Sequence, residues 1–132
     1  MKKVLGFLFA AMIMVACSTH SAVNVDGEWV ITNVNGKSTE GGDRQAEIMF
    51  DGKGKVNGNA SVNSFFGSYS IEGDSLKFGP MGMTRMMGGS MEIEDAITKA
   101  LGEVATVKVD GDKALIMDAQ GNEVMQLERK KK

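Results

Sequence analysis

Few residues in this sequence of 132 residues have the types and spacing that catalysis requires. There is one cysteine, Cys17, and one histidine, His20. Catalytic Ser-His and Cys-His arrangements and zinc sites need such side chains gathered within a fold. Both residues lie in the first twenty, before any predicted strand, so we interpret His20 as a solvated linker residue rather than a ligand.

Methionine is the other residue type here with potential for chemistry, because thioethers are soft ligands that suit Cu(I). Five of the eleven methionines fall within eleven residues, at Met81, Met83, Met86, Met87 and Met91. No His or Cys nearby completes a site, and we predict no resident metal. Three roles stay open for this segment: core packing, an adaptable hydrophobic contact surface, and handling of Cu(I).

Two acidic clusters have residue types found in catalytic or metal sites. Glu92, Glu94 and Asp95 fall at the start of a predicted helix, where negative charge complements the helix dipole. Asp110 and Asp112 flank a glycine but lack the further oxygen ligands of a calcium loop, which is typical of a hairpin turn. We therefore predict that the protein is not an enzyme and needs no cofactor.

The first seventeen residues have the pattern of a bacterial lipoprotein signal. Lys2 and Lys3 precede an apolar run of 13 residues, Val4–Ala16, which is too short to span a bilayer of ~30 Å. The small Ala16 before Cys17 suits a peptidase that cuts there, although a plain signal peptide cut elsewhere is the alternative. We predict a signal peptide at 1–16, acylation of Cys17 by chains such as palmitate, and a tether at 17–25 that reaches about 28 Å.

Ser18 follows Cys17 at the position where an aspartate would favour retention in the inner membrane. In a cell with two membranes we therefore expect an outer-membrane lipoprotein that faces the periplasm. The lipid anchor makes the membrane the first expected partner, and envelope proteins the second. Anchoring by several acyl chains would make release from the membrane negligible.

The charge balance excludes one class of partner. Removal of the two leader lysines leaves 13 basic and 17 acidic residues, and four of the basic ones close the chain at 129–132. Nucleic-acid binding needs a basic face, so we expect none. We predict one domain at 26–129, a monomer, and a basic tail at 130–132 that is solvated or makes weak contact with anionic lipid.

Alternation of apolar and polar residues dominates from Gly27 onward and predicts antiparallel hairpins separated by glycine turns. One segment differs: after Ser90, a candidate N-cap, apolar residues recur at helical spacing as far as Gly102. The predicted fold class is α+β and mostly β. We expect a strongly curved antiparallel sheet or incomplete barrel of seven to eight strands, packed on one amphipathic helix at about 91–102.

The segment from Gly58 to Leu101 resembles the META domain family, which includes the heat-shock HslJ-like lipoproteins. The family pattern has a glycine, Cys-Asn, a near-aromatic pair, Gly-x-Tyr, a hairpin, Thr-Arg-Met and an acidic helix. The matching residues are Gly58, Asn63, Phe65, Phe66, Gly67, Tyr69, Thr84, Arg85, Met86 and Glu94. The resemblance implies a small antiparallel sheet wrapped around a helix, often in stress-related envelope lipoproteins, and no established catalytic centre.

The sequence departs from the family at two positions. Val62 stands where the family usually has a cysteine before asparagine, and Gly88 stands where its second cysteine follows Thr-Arg-Met. The family's disulfide therefore does not carry over, and we expect this protein to be less resistant to heat than a cross-linked relative.

The adjacent Phe65 and Phe66 are the strongest sign of a functional surface, because neighbouring residues of a strand point to opposite faces of the sheet. The outer ring is either covered by the helix or a curled edge, or forms an apolar patch for a peptide or lipid. The candidate contact surface comprises Asn63, Phe65, Phe66, Gly67, Tyr69, Thr84, Arg85 and Met86. We expect a noncatalytic envelope lipoprotein that acts by contact during stress; a binder of a small apolar ligand or lipid in the sheet interior is the alternative.

Overall fold

The computed structural model describes residues 23–130. The predicted signal peptide, Cys17, His20 and the last two lysines of the basic tail lie outside the described residues. Among residues 23–130, no helix is both long and apolar enough to cross a membrane.

Residues 23–130 form nine antiparallel strands and one helix, so the predicted mostly β, α+β class is confirmed. The helix, α1, begins at Met91 and ends at Leu101, close to the predicted bounds. The ninth strand, beyond the seven or eight expected, is the two-residue β2. The strands are β1 Gly27–Val34, β2 Lys37–Ser38, β3 Glu47–Phe50, β4 Lys55–Asn59, β5 Ser64–Glu72, β6 Ser75–Met83, β7 Thr106–Asp110, β8 Lys113–Met117 and β9 Glu123–Arg129.

The sheet curves into a ring because β1 pairs with β3 on one side and with β9 on the other. The ring is incomplete at one place, since β6 and β7 pair only at Ser75 and Thr106. Beyond Ser75 the strand β6 continues to Met83 without a strand on its second side within the described chain. Helix α1 lies in the connection between these two strands and covers the interior at this gap.

Inward-facing apolar side chains fill the ring, and α1 adds Ile97 and Ala100, which are fully buried. Trp29 is the largest buried side chain, and its indole N–H donates to the carbonyl of Val25 at 2.8 Å. The guanidinium of Arg129 lies 4.2 Å from the centre of the Trp29 ring, so the last strand is fastened to the first.

The end of the predicted tether packs against the domain. The backbone N–H of Val23 donates to the carbonyl of Gly73 at 2.9 Å, and Val25 is buried in the core. Residues 23–25 therefore belong to the folded body, and only residues 18–22 separate it from Cys17. The distance between Cys17 and the folded body is therefore at most about 20 Å, the length of this segment when it is fully extended.

Two hairpin turns are held by aspartate side chains. Asp51 accepts from the backbone N–H groups of Lys53 and Lys55, and Asp118 accepts in the same way from Gln120 and Asn122. These backbone hydrogen bonds lower the pKa of both carboxyl groups below the usual 3.8.

A carboxyl group with a lowered pKa in the folded state stabilises the fold above about pH 4, and this contribution is lost as the pH falls through the lowered value. As the pH is lowered below 4, we expect the urea concentration at the midpoint of unfolding to decrease in the wild type. The decrease should be less steep in Asp51→Asn, which lacks one of these carboxyl groups. Parallel pH profiles of the two midpoints would contradict this prediction.

Candidate functional site

Three connections meet at one end of the ring and form what we call the loop junction. They are the β2–β3 loop at 39–46, the β4–β5 loop at 60–63 and the β6–α1 loop at 84–90. Four of the ten family residues identified in the sequence lie in these loops, namely Asn63, Thr84, Arg85 and Met86. The hydrogen bonds of these residues show which polar side chains are used within the protein and which are left to contact a partner.

Asn63 and Glu94 form a buried polar pair at the centre of the loop junction, with exposed fractions of 2% and 6%. One oxygen of Glu94 accepts from the backbone N–H of Asn63 at 2.6 Å, and the other accepts from its side-chain amide at 2.7 Å. A buried carboxylate of this kind is tolerated when its oxygens receive hydrogen bonds. The carboxylate therefore joins α1 to the β4–β5 loop across 31 residues of chain.

The Asn63 side chain also holds the β6–α1 loop. Its carbonyl oxygen accepts from the Thr84 hydroxyl at 2.8 Å and from the backbone N–H of Met86 at 2.6 Å. Its amide donates a further bond to the carbonyl of Met86 at 2.9 Å. Asn63 thus uses its amide donors and its carbonyl oxygen within the protein, which assigns it a structural role.

Glu94 was missed as a structural residue because its place in the first turn of α1 is explained by the helix dipole alone. A signal was present in the sequence. Glu94 precedes the buried Ile97 by three residues and Leu101 by seven, so it lies in the apolar stripe of the helix. A carboxylate within an apolar stripe needs a polar partner.

Ser90 occupies the predicted N-cap position, but its hydroxyl makes no capping bond to α1. It accepts instead from the backbone N–H of Asp43 at 2.9 Å and lies 2.9 Å from the hydroxyl of Ser61. Ser61 has a φ of 82°, which is unusual for a residue other than glycine, and its hydroxyl donates to the carbonyl of Arg44. Ser90 therefore ties the helix start to the other two loops.

Val62 and Gly88 are neighbours in the loop junction. A Cβ atom placed on Gly88 would lie 3.0 Å and 3.1 Å from the two methyl carbons of Val62. It would also meet the carboxylate of Asp43. The two positions where the resemblance implies cysteines are therefore close enough for a disulfide, and a valine fills part of that space here.

The structure divides the candidate contact surface. Asn63 and Phe65 are buried, so they cannot themselves touch a partner, and Gly67 and Tyr69 are half-buried. Four members are exposed to solvent, and we call these the outer contact surface. They are Phe66, Thr84, Arg85 and Met86.

Phe65 and Phe66 each pack over a glycine of a neighbouring strand. The Phe65 ring lies inside over Gly58 of β4, where an added Cβ would come within 2.8 Å of the ring. The Phe66 ring lies outside over Gly82 of β6, at 2.5 Å from such a Cβ, and stays 56% exposed. Neither the helix nor an edge strand covers Phe66, which favours the apolar-patch interpretation.

Aspartate substitutions at these two positions should have very different effects. Phe65→Asp places an unpaired charge in the core and should leave the protein unfolded. Phe66→Asp removes only an exposed ring and should lower the free energy of unfolding by about 1 kcal/mol. Circular dichroism with urea titration would test this, and unfolding of both variants would show that Phe66 is needed for the fold.

Tyr69 belongs to the core edge rather than to a surface. Its ring packs edge-on against Phe50, with ring centres 4.9 Å apart, and its hydroxyl oxygen accepts from the backbone N–H of Gly52 at 3.1 Å. Burial raises the pKa of the Tyr69 phenol, so the hydroxyl stays protonated at neutral pH.

A cleft of about 550 Å³ lies between β6 and the second half of α1, at the gap in the ring. Its volume is within the usual range of small-molecule sites. Most of its wall is apolar, and its two charged residues are both basic: Lys77 in β6 and Arg85 in the β6–α1 loop. The lining residues are Phe65, Lys77, Phe78, Gly79, Met81, Gly82, Met83, Arg85, Thr98, Leu101, Gly102 and Val104.

The methionine segment separates into two parts. Met81 and Met83 share a strand face and line the cleft, where both pack against the core. Met86 and Met87 are exposed in the β6–α1 loop. Within residues 23–130, no cluster of three or more His, Cys, Asp or Glu side chains could hold a metal ion.

The ring of nine strands with a helix across its gap defines a class of protein, the small, partly closed antiparallel barrel with a helical cover. The chain belongs to the META domain family, whose sequence model matches residues 21–132.

Solved structures share the fold. A protein from Burkholderia xenovorans is similar with a TM-score of 0.61 at 22% identity, over 81% of this chain and 83% of that one. A second NMR structure has a TM-score of 0.63 at 25% identity, over 77% and 87%. A DUF4847 family protein from Bacteroides vulgatus has a TM-score of 0.61 at 13% identity, over 81% and 94%. No curated protein matches the sequence significantly.

Proposed function

We propose that this protein is a noncatalytic lipoprotein of the bacterial envelope that contacts other envelope components during stress. Acylated Cys17 holds it on the outer membrane, facing the periplasm. The outer contact surface of Phe66, Thr84, Arg85 and Met86 carries the proposal, because a large ring, a thioether and a cation are all exposed there. Exposed apolar groups with a polar surround are typical of interaction surfaces.

The structural use of the family residues supports a noncatalytic role. Asn63 and Glu94 use their polar atoms on each other and on the loops, as do the hydroxyls of Ser61 and Ser90. The network ties the β6–α1 loop to the β4–β5 loop through Asn63, and the β6–α1 loop carries Arg85 and Met86. The buried Asn63–Glu94 pair therefore positions the loop that presents Arg85 and Met86 to solvent.

Photo-crosslinking in intact cells tests the contact role. A photoreactive residue at Arg85 should capture specific envelope proteins, and the same residue at the exposed Lys113 of β8 should not. Capture at Arg85 should weaken in Cys17→Ser, because the protein then lacks the acyl anchor that holds it on the outer membrane. Identical products from both positions would contradict the contact surface, and an amino end without acyl chains by mass spectrometry would contradict the anchor.

A second candidate function, binding of a small apolar ligand, is favoured by the cleft between β6 and α1. The cleft reaches the ring interior through Phe65 and has the volume expected of a ligand site. Thr98→Trp would fill it from the exposed face of α1. We expect this variant to lose binding of a small apolar ligand while its circular dichroism spectrum shows that the fold is retained.

A further inference from the structure

The cleft owes its shape to the brief pairing of β6 with β7. From Lys77 to Met83 the second edge of β6 faces α1 and Val104 instead of a strand. This stretch of six residue steps is about 20 Å long, which is the length scale of a long fatty acyl chain. The cleft is therefore elongated along β6.

The walls of the cleft are apolar, but its charged residues have one sign. Lys77 and Arg85 line it, and no acidic residue does, although the sequence as a whole has 17 acidic residues. Both salt bridges found within residues 23–130 are made by Lys130, so Lys77 and Arg85 are without a carboxylate partner in the described chain. An anionic group bound here would meet cations only.

An extended peptide is the other occupant that an open strand edge could take. Pro80 lies in the middle of this edge and has no N–H group to donate to an added strand. A β-bulge opposite, between Gly67 and Tyr69, breaks the regular register of β6 at the same place. Both features protect an edge from strand addition, which favours a ligand that does not need backbone hydrogen bonds.

We propose that this cleft binds a single-chain amphiphile with an anionic head group, of the fatty acid type. This inference rests on the second proposed function and names its ligand class. The acyl chain lies against Phe78, Met81, Met83 and Leu101, and the head group pairs with Lys77 or Arg85. Arginine is suited to this role because its planar guanidinium can bind a carboxylate through two hydrogen bonds.

The test uses residues 17–132, the predicted mature chain, carrying Cys17→Ser and purified without detergent, so that neither the apolar leader nor an acyl anchor competes for the cleft. Sodium myristate is titrated, and binding is followed through the NMR signals of methyl-labelled methionine. The signals of Met81 and Met83 should shift to saturation, and that of Met125 in the core should stay in place. Myristyl alcohol, which has the same chain without the charge, should bind about tenfold more weakly.

Two sets of variants distinguish the contribution of the basic residues to binding from that of the cleft volume. Lys77→Ala with Arg85→Ala should reduce myristate affinity about tenfold, to the level of the alcohol, and Lys108→Ala with Lys113→Ala should leave it unchanged. Thr98→Trp should abolish binding, and the matched Lys99→Trp, an exposed α1 residue outside the cleft, should retain it.

Three results would overturn the proposal. One is the absence of a saturable shift at Met81 and Met83, and another is equal binding of myristate and myristyltrimethylammonium. The third is binding of phosphatidylglycerol vesicles or of extended peptides without binding of myristate. The outer contact surface and the Cys17 anchor would survive each of these results, because the crosslinking and mass measurements test them separately.

Discussion

Replacing Glu94 with alanine is expected to lower the free energy of unfolding by about 3 to 4 kcal/mol. The substitution leaves the backbone N–H of Asn63 buried without an acceptor and removes one of the two acceptors of its side-chain amide. Hydrogen bonds to a carboxylate are the stronger kind, and a buried donor left unpaired carries its full desolvation cost. Since domains of this size have about 5 to 15 kcal/mol of stability in total, the loss is large.

Two further variants identify the cause. Glu94→Gln keeps the shape and one acceptor but turns an amide toward a donor of Asn63, so its cost should lie between those of wild type and Glu94→Ala. Glu92→Ala removes an exposed carboxylate from the same turn of α1 and should change stability by less than about 0.5 kcal/mol. Urea denaturation measures all three, and equal effects of Glu94→Ala and Glu92→Ala would contradict the structural role of the buried pair.

Introducing cysteines at Val62 and Gly88 is expected to raise stability by about 2 to 3 kcal/mol under oxidising conditions. The two positions are 26 residues apart in sequence and adjacent in space. Closing a loop of that length is worth about 3.5 kcal/mol in the chain-entropy model. The new Cβ at Gly88 displaces the Asp43 carboxylate, which then loses its hydrogen bond to Gly89, at a cost of about 1 kcal/mol.

Mass spectrometry and thiol titration verify the bond, and thermal denaturation with and without reductant measures its effect. The single variants Val62→Cys and Gly88→Cys serve as controls and should gain nothing from oxidation. A double variant that forms the bond but is no more stable than its reduced form would show that strain in the loop junction offsets the entropic gain.

The Glu94 variant removes a contact from the loop junction, and the disulfide variant adds one. The buried pair joins α1 to the β4–β5 loop, and the introduced bond would join the β4–β5 loop to the β6–α1 loop. Both contacts hold the loop that carries Arg85 and Met86. We therefore expect crosslinking from Arg85 to weaken in Glu94→Ala and to persist in the disulfide variant.

The fold class and the helix could be predicted from the sequence, because both depend on local periodicity. Alternation with glycine turns indicated eight of the nine strands, and helical spacing between Ser90 and Gly102 placed α1 within one residue of its observed end. The two-residue β2 was not predicted, since so short a strand has no periodicity of its own and exists through its pairing with β1.

The site was only partly predictable for a physical reason. The sequence indicated Asn63, Phe65 and Phe66 as candidate contact residues and explained Glu94 by the helix dipole, but contacts between distant parts of the chain decide the role of each. Glu94 became structural because the helix rotation brings its carboxylate to Asn63, and Phe66 became exposed because β5 turns the other ring inward over Gly58. The cleft exists because β6 and β7 meet at a single residue pair, and that register is set by closure of the whole ring.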